Sequence, residues 1–460
     1  MTASTRFDTH LSHEAIRGDG LHRHELNADT PFPEKFGHKL VPVGEALKVI
    51  QSGHRVYMGG GCGEPLELAQ ALVNRAPELR NVEIIHVLTA GHAAYAAAEL
   101  SESFHVNSLF IGSNVRSAVQ EGRADFTPVF LHEIPRLFRE GYLPLDVALI
   151  SVSPPDAHGY CSFGIEVGAT KPAVEAARIV IAEINPHMPR AWGASFIHLS
   201  QIDFCVAVNY PLPELPQSTP TELYNQIGAH VAALINDGDT LQLGIGAIPD
   251  AVLTYLTSKK DLGIHTEMFS DGIIDLVDAG IINGRRKSFL PGKIVTAFCL
   301  GPRRLFEFVH DNPIVEFRPV DFTNDPFNIA RNDNMVAINS ALQVDLTGQV
   351  CADSIGCRFY SGVGGQVDFM RGAARSHGGK PIIALPSTAL DGKISRIVPV
   401  LDLGAGVTTS RNDVHYVVTE YGVAHLYGKS VQKRAEALIS ISHPDFRDEL
   451  RARAHDRCIG

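Results

Sequence analysis

Across 460 residues the chain has a single tryptophan, and none of its seven cysteines falls in a CxxC pair. Cys62, Cys161, Cys205, Cys299, Cys351, Cys357 and Cys458 are odd in number and widely scattered. That usage fits reduced thiols and not a disulfide framework. Positive charge is also short, with a formal net charge of -11. A basic face for a nucleic-acid backbone is therefore not expected, and neither is a nucleic-acid partner. No apolar run approaches a membrane span, and the first residues, MTASTRFDTHLSHEAIRGDG, hold no signal-type apolar core. The expectation is a cytoplasmic protein with no membrane partner. HExxH and GxSxG are missing as well, and the HxE at 265–267 is followed by no PCxxC. Zinc chemistry of the deaminase or protease kind then lacks its ligand set, and no metal site is expected.

What is present reads as α/β. Short apolar runs such as HRVYMGG, VEIIHVL, DVALISVS, ARIVIAEI and FCVAVNY have strand character, and helical patterns separate several of them. Residues 1–38 are polar and without period, and are expected to form an N-terminal arm. The stretch YPLPELPQSTPTE, residues 210–222, is dense in proline and marks a boundary between domains over 39–212 and 213–460. After it the pattern restarts. SGHRVYMGGGCGEPLELAQAL and DGDTLQLGIGAIPDAVLTYL share the order glycine, apolar strand, glycine-rich turn, helix. Setting Gly59 against Gly244 matches IIHVLTAG, ending at Gly91, with HTEMFSDG, ending at Gly272. Two similar α/β domains related by internal duplication are thus expected. In this register His86 stands where the second copy has Glu267.

Three glycine clusters bear on function: GGGCGEP at 59–65, GIGAIP at 244–249 and SGVGGQVDF at 361–369. Any one of them is explained by a tight turn at a strand end. Three together favour a phosphate-bearing ligand, because free backbone N–H groups at strand-to-helix turns attract anions. Cys62, in the first turn, reads as a small residue that fits; a thiol activated by a helix N-terminus is the competing reading. The remaining feature is the bare carboxylate of LGIHTEMFSDG. A glutamate is ordinarily a solvated surface group. Glu267, however, follows an apolar strand and precedes a glycine turn, where open α/β sheets bind ligands. A carboxylate placed there can attack an activated acyl group.

Taken in order and spacing, GIGAIPDAVL, LGIHTEMFSDG, SGVGGQVDF and VVTEYGVAHLYGKS resemble the acetyl-CoA hydrolase/transferase family. The likeness is greatest to 4-hydroxybutyrate and butyryl-CoA:acetate CoA-transferases, and covers about residues 38–450. It implies two α/β domains of CoA-transferase type with the active site between them. It also implies a ping-pong exchange of CoA between a short-chain acyl-CoA and a carboxylate such as butyrate, 4-hydroxybutyrate or acetate. Glu267 would be the catalytic nucleophile, passing through a glutamyl-CoA thioester. Gln242, Leu243, Gly244, Ile245 and Gly246, with Leu342 and Gly365, would line the CoA site. Asn324 and Glu420 match positions near the substrate carbonyl. No tightly bound cofactor is implied, coenzyme A being a substrate, and the assembly would be a homo-oligomer, a dimer or larger. Two other readings stand beside this one: an acyl-CoA hydrolase, in which water resolves the intermediate, and a non-catalytic acyl-CoA sensor. The sensor would have no need of Glu267.

Overall fold

The computed structural model describes residues 32–215 and 220–460. Of the expected arm, residues 1–31 lie outside the described part. The rest runs into a 3₁₀ turn, Glu34–Lys39, where Phe36 packs edge-on to His198 with ring centroids 5.5 Å apart. Residues 216–219 of the proline-rich stretch are likewise outside. On one side of them Leu215 donates its N–H to Gly301 O at 3.1 Å, and on the other the helix Glu222–Ala233 begins.

Numbering only the strands of the two main sheets, the first contains β1 (Arg55–Met58), β2 (Val82–His86), β3 (Phe104–Ser108), β4 (Ala124–Phe126), β5 (Val147–Val152), β6 (Ile179–Ile184) and β7 (Phe204–Ala207). Their order is β4-β3-β2-β1-β5-β6-β7, and every pairing is parallel. The second contains β8 (Thr240–Leu243), β9 (Gly263–His265), β10 (Ile294–Thr296), β11 (Val315–Phe317), β12 (Met335–Ser340), β13 (Lys380–Ala384), β14 (Tyr416–Thr419) and β15 (Gly422–His425). Its order, β11-β10-β9-β8-β12-β13-β14-β15, repeats the first and adds one antiparallel edge strand. The helices used below are α1 (Leu66–Asn74), α2 (Glu222–Ala233), α3 (Ala247–Thr254), α4 (Val320–Thr323) and α5 (Gln366–Arg375).

The strands are apolar runs, not alternating ones, because parallel strands are covered on both faces. All six residues of β5 are buried. Successive residues of β1 serve different cores: Val56 and Met58 join a cluster with Ile84 and Leu149, while Tyr57 faces the other way. That second face is continuous with the other half of the molecule. One apolar cluster runs from Tyr57, Ala148 and Ile150 through Phe163 and Val167 to Leu241, Leu243 and Ile338. Among the described residues, no helix is long and apolar enough to cross a membrane.

The repeated strand order bears out the duplication, but the ladders change its register by one residue. Val56 pairs with Ile84, and Leu241 pairs with Ile264. With Gly59 set against Gly244, Ile264 is then the counterpart of Ile84, Thr266 that of His86, and Glu267 that of Val87. Burial follows the same register, since His86 and Thr266 are fully buried while Val87 and Glu267 are each partly exposed. Aligning the glycines that end the two segments misses this, because one segment is a residue longer between strand and glycine.

Candidate active site at the meeting edges of the two sheets

All strands of the first sheet, and all but β15 of the second, run parallel, so each sheet presents its loops at one carboxyl edge. The loops leaving those two edges are joined by backbone hydrogen bonds. Val167 and Gly168 both donate to Ala297 O at 3.1 Å, and Cys299 donates to Ile165 O at 3.0 Å. Farther along, Ile111 donates to Ser361 O at 3.4 Å and Leu131 to Gly364 O at 3.2 Å. The third glycine cluster is therefore built against the first half of the chain, with Phe110 packed under Gly362 and Gly364.

Glu267 lies two residues past β9. Its peptide is fixed, for its carbonyl accepts from Ala297 N at 2.9 Å, Phe298 N at 3.0 Å and Thr296 Oγ1 at 3.1 Å. Its side chain meets two donors. Asn324 Nδ2 donates to Oε2 at 2.9 Å, and the Gly365 N–H hydrogen-bonds the same carboxylate. Asn324, at the end of α4, is fully buried, and its Oδ1 accepts from Thr323 Oγ1 at 2.8 Å, which fixes the amide's direction. Gly365 caps α5 with ordinary helical-side backbone angles, so its identity is set by space. A Cβ there would overlap both Glu267 Oε2 and Asn324 Nδ2.

Burial pushes the Glu267 carboxyl up to about 7, and the nearby Asp368 charge adds to the rise, while Asn324 and Gly365 oppose it. A raised carboxyl is not in itself distinctive here, because burial also brings Glu64 and Glu166 to about 7 and Glu183 to about 8. Glu183 is a structural acceptor for Leu68 N at 2.7 Å and for the Tyr210 hydroxyl. What distinguishes Glu267 is a partly exposed residue whose carboxylate is held between two donors at the junction of the sheets.

His265 does not act with it. The ring is fully buried, Nε2 donates to Thr323 O at 2.8 Å, and Nδ1 lies 3.3 Å from Asn332 Nδ2. Burial, with Lys287 nearby, lowers it to about 3, so it is a neutral strut holding α4 and hence Asn324. Both ring nitrogens are used. Among the described residues, no three His, Cys, Asp or Glu side chains come together as metal ligands. Thr266 is a strut too, its hydroxyl 3.0 Å from Leu243 O and 2.7 Å from Met268 O.

The other expected site residues divide. Gly244, Ile245 and Gly246 form the partly exposed turn into α3, with Gly246 at φ 110°, a conformation that favours glycine. Gln242 is buried, and its Oε1 accepts from Ile338 N and Asn339 Nδ2, both at 3.1 Å, tying β8 to β12. Leu342, two residues past β12, is partly exposed, and its N–H donates to Cys351 O at 2.8 Å. Glu420, just past β14 on the same edge, accepts from Ser387 N at 2.9 Å and Ser387 Oγ at 2.6 Å. Cys62 is wholly buried and its thiol is pushed up to about 12, which leaves it inert. One neighbour carried no local signal in sequence: His132, from the first half, grips Asp368.

Comparison with known proteins identifies the family of the chain. Two family models match, described as the acetyl-CoA hydrolase/transferase N-terminal domain over residues 25–215 and the C-terminal domain over 301–454. The chain is 54% identical over 419 residues to the 4-hydroxybutyrate coenzyme A transferase of Clostridium kluyveri, covering 91% of this chain and 98% of that one. Among solved structures it is similar to RipA from Yersinia pestis, at 38% identity and a TM-score of 0.89, and to the 4-hydroxybutyrate CoA-transferase of Porphyromonas gingivalis, at 42% and 0.81. Each of these covers 92% of this chain and 99% of the solved one.

Proposed function

We propose, from the premise that the chain belongs to the acetyl-CoA hydrolase/transferase family, that it is a CoA-transferase exchanging CoA between a short-chain acyl-CoA and a carboxylate. The acids are butyrate, 4-hydroxybutyrate and acetate. The observation that carries the reading is the Glu267 carboxylate, held between the Asn324 amide and the Gly365 peptide where the two sheets meet.

The reaction needs no group beyond these. Glu267 attacks the thioester carbonyl, the CoA thiolate leaves, and a mixed anhydride forms. The thiolate then attacks the glutamyl carbonyl, expelling the first carboxylate and leaving a glutamyl-CoA thioester. A second carboxylate attacks that thioester, and the same two steps run in reverse. Each tetrahedral stage places negative charge on an oxygen beside Glu267. The Gly365 N–H and the Asn324 amide are fixed donors for it, each contributing on the order of 3 kcal/mol. The carboxylate is the reactive form, so its raised pKa makes it a better nucleophile once ionised. The turn at 244–246, Leu342 and Gly365 line the CoA path, and Leu243, expected beside them, backs it from the apolar core. Gln242 supports it from behind by holding β12. Homo-oligomeric assembly goes with this reading through the resemblance, and a cytoplasmic location through the scattered, unpaired cysteines.

The test mixes the protein with butyryl-CoA, with and without acetate, and follows acetyl-CoA and free CoA. Acetate-dependent acetyl-CoA is the expected result. Equal release of CoA without acetate would make the protein a hydrolase. Trapping with butyryl-CoA and peptide mass analysis should find the CoA adduct on Glu267; an adduct elsewhere would overturn the assignment.

A further inference from the structure

Asp368 is a buried carboxylate, 1% exposed, in the first turn of α5 and three residues past Gly365. It is close enough to Glu267 for its charge to act on that carboxyl. Two carboxylates in one buried region cannot both ionise freely unless one is compensated. The compensation comes from the other half of the chain, 236 residues away in sequence. After β4 the chain turns so that His132 N donates to Asp368 Oδ2 at 3.2 Å and His132 Nδ1 lies 2.7 Å from Oδ1. The adjacent Leu131 N–H holds Gly364 O, and Phe130 stacks on the His132 ring at 6.1 Å with 14° between planes.

We propose that His132 is a positioning residue of the transfer reaction: it neutralises Asp368 and fixes the start of α5, so that Gly365 meets an ionised Glu267. The inference rests on Glu267 being the nucleophile. The charged groups around this pair are Glu133, Asp325 and Arg371. Glu133 and Asp325 act on His132, and Glu133 acts again on Asp368. Arg371 pairs with Asp413 at 3.7 Å, and its guanidinium lies 5.2 Å from the centre of the Phe130 ring that stacks on His132. Burial works against protonation of His132, but the hydrogen bond and charge of Asp368 outweigh it and raise its pKa. Burial raises Asp368, and His132 opposes that rise. Without His132 the two buried carboxylates would share one proton, and the share held by Glu267 would keep it protonated to higher pH.

The experiment is a pH profile of kcat/KM for butyryl-CoA with acetate, on His132→Gln, Asp368→Asn and the double variant, with thermal melting alongside. In His132→Gln the acid limb should move up by about one pH unit, costing about tenfold in rate below it. Asp368→Asn, which keeps the side-chain shape, should move the limb down. In the double variant the His132 substitution should add nothing, because its partner charge is gone. An Asp368→Asn limb at the wild-type pH, a His132→Gln limb at or below it, or additive effects would each overturn the inference. A purely structural His132 would lower melting and rate at every pH without moving the limb. Glu267→Gln is run beside them: if it stays active, the nucleophile reading fails, whereas an inactive Glu267→Gln with unmoved limbs removes only the role of His132.

Discussion

The two halves place the same seven parallel strands in the same order, yet only the second holds a glutamate just past the end of its second strand, between two donors. The ladders set Glu267 opposite Val87, and Thr266 opposite His86. An apolar position in one copy is thus the position of the proposed nucleophile in the other. The surroundings differ as much as the residue. Between β12 and β13 the second half carries residues 341–379, including the glycine cluster and α5, whereas the matching connection between β5 and β6 is the shorter 153–178. α4 adds Asn324. A strand end in this scaffold becomes a site when other segments bring donors to it, and the duplication alone does not supply them.

Each prediction presses on that difference. Glu267→Gln should lower kcat by about 10⁶-fold, the scale of losing a nucleophile. Moving the carboxylate to the other copy, as Val87→Glu in the Glu267→Gln background, should restore nothing, since Asn324 and Gly365 stand at the second strand end. Recovery of transfer in that variant would mean that the scaffold position suffices. Gly365→Ala should cost about 10²–10³-fold in kcat, because its Cβ overlaps Glu267 and Asn324, displacing a donor of the kind worth that much. Steady-state kinetics on butyryl-CoA would check both. Asn324→Ala should lower kcat by about 10²-fold and move the acid limb upward, as the amide is a group that holds the Glu267 pKa down.

Wild-type enzyme should show an acid limb near pH 7, with the rate falling as pH drops because the carboxylate is the reactive form. A limb near 4.5, the ordinary glutamate value, would mean that Glu267 is solvated in the working enzyme. The smallest effect is on stability. A carboxyl whose folded pKa lies above its unfolded one contributes stability below the unfolded pKa and loses it as pH rises through the folded value. Glu267→Gln removes that loss, so at pH 8 it should be more stable than wild type by about 1–2 kcal/mol, after discounting for partial exposure. The gain should vanish near pH 4. Melting curves at the two pH values decide it, and equal gains at both would break the link between burial and nucleophile.

Legibility in the sequence followed the range of the interactions. Short apolar runs announced β1, β2, β5, β6 and β7, because a strand buried on both faces needs continuous apolar residues. Glu267 was visible through its local frame and the family motif. Asn324, 57 residues from it, came only through resemblance, since nothing in FTNDP reveals which carboxylate its amide meets. His132 was missed: one histidine in a short 3₁₀ turn, Leu131–Glu133, carries no sign of a partner 236 residues away. Gln242 was read as lining a ligand, and its side chain is tied to β12, a commitment written only in strand order.

By itself the sequence determined the strands, the repeat and the identity of the carboxylate, because these depend on periodicity and local residue type. The register of the repeat, the two donors on Glu267 and the grip of His132 on Asp368 were decided by tertiary structure. Those are contacts between segments distant in the chain, and only the closing of two carboxyl edges on each other brings them within hydrogen-bond reach.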